Sequence, residues 1–132
     1  MNLIRSLSLR QALLADALVS GATGLLLALG AGFLAGFLGL PEALLRYAGI
    51  ILLPYAAMVA AIGARPTIRP AAAWAVIVIN ALWALDSVIL LLSGWVAPTV
   101  FGAGFVIAQA LVVALFAELQ FVCLRRRQPS AA

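Results

Sequence analysis

Four long apolar blocks, interrupted at Gly39–Pro41, Pro66–Pro70 and Ser93–Pro98, fill nearly all of this 132-residue chain. Such a chain cannot hide its apolar surface in a water-facing fold. At 67% apolar and 9% charged residues, too little polar side chain is left to cover a core of that size. The mean hydropathy of +1.23 agrees. The solvent must be lipid. A hydrocarbon layer about 30 Å thick takes about 20 helical residues per crossing, so the length provides four crossings and short connections.

The blocks predict helices over about 9–38, 42–64, 71–92 and 99–124 in a single transmembrane domain spanning 1–132, with 125–132 as a basic tail. Pro41 and Pro98 stand at helix starts, where a missing N–H costs nothing. Continuous apolarity favours helix over barrel strand, which would alternate over about ten residues. The expected fold is an all-α integral membrane protein, a four-transmembrane-helix bundle. Sliding the chain by 64 residues lays Asp16, Thr23 and Gly30 on Asn80, Ser87 and Gly94, a pattern that fits two parallel helical-hairpin repeats.

Arginine placement gives an orientation. Arg5, Arg10, Arg65, Arg69, Arg125, Arg126 and Arg127 fall at one set of helix ends, and Arg46 alone at the other. The positive-inside rule then puts both termini in the cytoplasm. The apolar stretch after Asp16 exceeds the ~7–15 residues of a signal peptide and lacks a small-x-small end, so cleavage is not expected. The absence of Lys and His beside abundant Ala, Leu, Gly and Arg points to a GC-rich bacterium, hence an inner membrane. The net charge of +4 reads as juxtamembrane arginines facing anionic headgroups, with membrane lipids and not nucleic acid as the partner.

Chemistry is constrained by missing residue types. Without histidine there is no imidazole base or ordinary haem ligand, and one cysteine, Cys123, makes neither an internal disulfide nor a CxxC pair. No enzyme activity, cofactor or metal is expected, and Cys123 reads as a small buried residue. Gly24, Ala28, Gly32 and Gly36 recur every four residues, as do Ala56, Ala60 and Ala64. Such stripes let backbones approach, either within one chain or in a homo-oligomer.

Intramembrane polar residues are the site candidates, because each is costly in hydrocarbon. Asp16, followed on its face by Ser20 and Thr23, reads as a headgroup-level carboxylate paired with a nearby arginine. Asn80 reads as an interhelical hydrogen bonder, and Gln109 and Gln120, sharing a helix face with Phe105 and Phe116, as structural glue. Glu118 is close enough to the terminal arginines to reach the interface. Asp86 lies roughly 20 Å and 10 Å from the two ends of its helix. It is expected to sit inside the bundle, neutral or paired with Asn80, Ser87, Tyr55, the Ile50 carbonyl that Pro54 frees, water, or Arg46 reaching inward from the start of helix 2.

Two functions fit. One is a non-enzymatic oligomeric module that binds lipid or a partner membrane protein, its polar residues holding helices together. The other is a small proton- or cation-coupled transporter in which Asp86, with Asp16 or Glu118, changes protonation. In size, helix number and the acid of Ala12-x-x-x-Asp16 the chain is similar to the small multidrug resistance transporters. It departs from them in carrying aspartate where they carry glutamate and in its one-sided arginine bias.

Overall fold

A computed structural model describes residues 8–127, which form α1 (Leu9–Leu38), α2 (Glu42–Ala64), α3 (Pro70–Ser93) and α4 (Val100–Arg127). No strand occurs among the described residues. All four helices are long and apolar enough to cross a membrane. Arg5 and positions 128–132 of the basic tail lie outside the described residues.

The helix ends follow from local chemistry. Ser8 opens α1 with a capping box: its Oγ accepts from the Gln11 N–H at 3.1 Å, and Gln11 Oε1 accepts from the Ser8 N–H at 3.0 Å. Gly39 and Gly94, at φ of 68° and 76°, end α1 and α3 in the left-handed conformation that glycine tolerates. Pro70 occupies the first turn of α3, one residue before the expected start. Thr99 precedes α4 rather than beginning it, and its Oγ1 accepts from the Gly102 N–H at 3.1 Å. The last turn of α4 runs on past Leu124 to Arg127, where cations suit the negative end of the helix dipole.

With four helices the chain runs up, down, up and down. Arg10, Arg65, Arg69 and Arg125 mark one end, and Gly39 and Gly94 the other, called the turn end here. α1 packs along α2 and against α4, and α3 packs on α4, whereas α2 and α3 barely meet. One apolar cluster, with Leu13, Val59, Val76 and Leu124 from the four helices, fills the arginine end. A second, with Leu27, Leu45 and Val106, fills the turn end.

The α1–α2 crossing depends on missing side chains. A Cβ at Gly49 would lie 2.7 Å from the Gly24 carbonyl and would overlap the Ala28 backbone nitrogen. A Cβ at Gly24 would meet the Gly49 carbonyl at 3.1 Å. Within the single chain, the four-residue stripe meets α2 at Gly24 and Ala28 and leaves Gly32 and Gly36 exposed. A Cβ added at Gly36 would meet nothing within 4 Å, and one at Gly32 would first meet the Glu42 side chain, at 3.8 Å. Each four-residue step over-rotates a helix by about 40°, so a stripe facing α2 at Gly24 has turned away by Gly36.

Candidate functional site

Between the two apolar clusters lies a polar centre supplied by all four helices. Asp16 of α1, 1% exposed, is its hub. Its Oδ1 accepts from Ser20 Oγ at 2.9 Å, one turn along the same helix. Its Oδ2 lies 2.9 Å from Tyr55 Oη of α2, 2.8 Å from Asn80 Nδ2 of α3 and 2.9 Å from Gln120 Nε2 of α4. Asn80 Nδ2 also donates to Gln120 Oε1 at 3.1 Å, and Tyr55 Oη approaches Asn80 Oδ1 at 2.8 Å. No buried side-chain nitrogen or oxygen among the described residues is left without a partner. That completeness is what burial of so many polar groups requires.

The expected arginine partner of Asp16 is replaced by these neutral groups. Arg10 is engaged elsewhere: its Nη1 donates to the carbonyls of Gly63 and, at 2.7 Å, Arg65, and its Nη2 reaches the Pro66 carbonyl at 3.3 Å. It thereby caps the C-terminus of α2, whose last carbonyls have no partners within the helix.

Asp86 is also placed differently from expectation. It is exposed and hydrogen-bonds no other described residue, while Asn80 and Tyr55 are committed to Asp16 and Ser87 to other partners. The helix repeat explains this. Ser87, seven residues after Asn80, returns to nearly the same face, whereas Asp86 is turned about 100° from Ser87. Glu118 is exposed near the arginine end. Cys123 is buried there, with Arg126 Nη2 3.6 Å from its Sγ.

A second polar group links α3 to α4. Trp83 Nε1 donates to Gln109 Oε1 at 2.8 Å, and Gln109 Nε2 donates to Ser87 Oγ and to the Val106 carbonyl, each at 2.8 Å. Ser87 Oγ in turn donates to the Trp83 carbonyl at 2.8 Å. The Trp83 indole takes part as well, and its one signal in the sequence is the helix face it shares with Asn80 and Ser87.

Two cavities adjoin these groups. The first, about 290 Å³, lies where α2 and α3 diverge, with Leu45, Ala48 and Leu52 on one wall and Trp83, Asp86 and Leu90 on the other. The second, about 240 Å³, lies between α1 and α4 and has Asp16, Ser20 and Phe116 in its lining. Thr23, Leu52, Trp83, Phe105 and Gln109 border both. Both are mostly apolar, the first beside the α2–α3 gap and the second beside the Asp16 centre. No group of His, Cys, Asp and Glu that could hold a metal occurs among the described residues. Comparison with protein-family models, curated proteins and solved structures finds no match to this chain.

Proposed function

We propose that this chain is a multi-pass protein of a bacterial inner membrane, with both termini cytoplasmic, that acts as a non-enzymatic module and takes a lipid chain into the space between α2 and α3. The observation that carries this reading is the first cavity. Its walls are apolar over most of their area, it opens where two neighbouring helices part, and Asp86 stands beside it without a hydrogen-bond partner among the described residues. An apolar cavity with a few convergent polar groups is the usual form of a ligand site. In a membrane the ligand at highest concentration is lipid. The exposed glycines at positions 32 and 36 offer a face for a second copy or a partner helix.

Ala48, half-buried in the cavity wall, gives the test. Protein released from membranes into mild detergent should retain lipid in intact-mass measurements, and Ala48→Phe should lower retention at least tenfold. Equal retention by the two proteins would remove the reading.

A second reading, a proton- or cation-coupled transporter, draws on the Asp16 centre beside the second cavity. Here Asp16, rather than Asp86 or Glu118, is the coupling carboxyl. Reconstituted protein should then move protons or a cation under an imposed gradient, and Asp16→Asn should stop it. A module is silent in both forms.

A further inference from the structure

We propose that Asp16 is a proton-binding site: the four-helix polar centre closes its hydrogen bonds with the Asp16 carboxyl protonated, and that proton holds α2 to α3. The claim rests on a count of hydrogens and stands apart from whether the neighbouring cavity takes a lipid.

Tyr55 Oη is 2.9 Å from Asp16 Oδ2 and 2.8 Å from Asn80 Oδ1. Both are oxygen–oxygen contacts at hydrogen-bond distance, and the phenol carries one hydrogen. One contact therefore needs a second hydrogen. An amide oxygen cannot supply it. A protonated Asp16 can: its Oδ2–H donates to Tyr55 Oη, and Tyr55 donates onward to Asn80 Oδ1. The two lone pairs of that hydroxyl oxygen then accept from Asn80 Nδ2 at 2.8 Å and Gln120 Nε2 at 2.9 Å. Oδ1, as carbonyl, accepts from Ser20 at 2.9 Å. Every short contact has one hydrogen.

Turning the Asn80 amide over does not remove the need. Its oxygen would then face Asp16 Oδ2 at 2.8 Å and Gln120 Oε1 at 3.1 Å, two oxygen pairs in place of one. Groups facing Asp16 are Ser20 from α1, Tyr55 from α2, Asn80 from α3 and Gln120 from α4. Among the described residues, Tyr55 is the one other titratable group that hydrogen-bonds Asp16, and no arginine does so to compensate a buried negative charge there.

The proton has a mechanical consequence. Tyr55 to Asn80 is the one hydrogen bond between α2 and α3 among the described residues. If the proton leaves, the carboxylate claims the phenol hydrogen, and Tyr55 Oη and Asn80 Oδ1 are left as two bare oxygens in contact. The seam between α2 and α3, which barely meet otherwise, loses its fastening. Loss of the proton therefore widens the gap beside the first cavity.

The chain contains two aspartates, Asp16 and Asp86, which makes the test direct. Asp86→Asn protein labelled with ¹³C-aspartate and reconstituted in lipid should show the isotope-shifted C=O stretch of a protonated carboxylic acid at neutral pH. That band should shift in Tyr55→Phe, which removes the acceptor, and convert to carboxylate bands on alkaline titration. If Asp86→Asn does not fold, Asp86→Glu leaves Asp16 as the one labelled aspartate. Carboxylate bands alone from Asp16 at every pH at which the protein is folded would overturn the proposal. Spin labels at the exposed positions Ile51 and Ile89, in a Cys123→Ser background, read the seam. Their separation should lengthen as the acid band disappears, and a constant separation through that titration would overturn the coupling.

Discussion

Asn80 follows Asp16 by 64 residues and donates to its Oδ2 at 2.8 Å. The same 64-residue offset relates Thr23 to Ser87, and these two border the same cavity. One pair at this offset is thus in direct contact, and the other lines one cavity. The third pair separates in role: Gly94 ends α3 in the left-handed conformation, while Gly30 lies within α1.

Tyr55→Phe should destabilise the fold by about 1–2 kcal/mol, because it leaves the Asn80 oxygen without a donor and removes a partner of Asp16. Gln120→Leu, at a fully buried position, should cost a similar amount. Reversible unfolding in mixed detergent measures both. A change below about 0.3 kcal/mol in each would mean that the polar centre is not closed in solution.

Gly49→Val should lower the unfolding midpoint sharply, since its first added carbon already overlaps α1 backbone at Ala28. Gly36→Val should leave the isolated chain nearly unchanged, with a helix-propensity effect of a few tenths of a kcal/mol. If Gly36→Val instead changes the oligomer mass in light scattering, a second copy covers that face.

Asp86→Leu breaks no hydrogen bond among the described residues and should keep stability within about 0.5 kcal/mol of the parent, or raise it. A loss above ~1 kcal/mol in the same unfolding assay would show that the carboxyl has a structural partner.

Topology can be read with an impermeant thiol reagent in Cys123→Ser cells. Cysteine at Ala97, exposed beside Thr99, should react from the periplasmic side, and cysteine at the exposed Thr67 should not. The reverse pattern would invert the orientation drawn from the arginines.

The helices were legible because their ends are written in Gly, Pro and the lengths of the apolar blocks, all local signals. Small deviations came from caps: Thr99 is read as the first helical residue until its hydroxyl is seen accepting from Gly102. The polar centre was less legible. The Asp16–Ser20–Thr23 face and the Asn80–Ser87 face were both visible as helical spacings, but spacing along one helix does not say which neighbour it meets. The depth of Asp86 suggests a place inside the bundle, whereas its angle of about 100° from Ser87 points it away from the Asn80 face. Arg10 reads in the sequence as a topological charge, and its use as a cap on α2 depends on a contact 53 residues away.

Thr99 donates its N–H to the Leu38 carbonyl at 3.0 Å and its hydroxyl to the Phe37 carbonyl at 2.9 Å, and Gln120 grips Asp16 farther along α4. The α1–α4 edge is therefore stitched at two heights, while α2 and α3 are joined at one. The molecule is built like a book, with α1 and α4 as its spine and α2 and α3 as the less tightly joined covers. Were the guest a lipid, as proposed above, it would enter sideways along the leaflet, tail first, and cross neither polar boundary to reach its place.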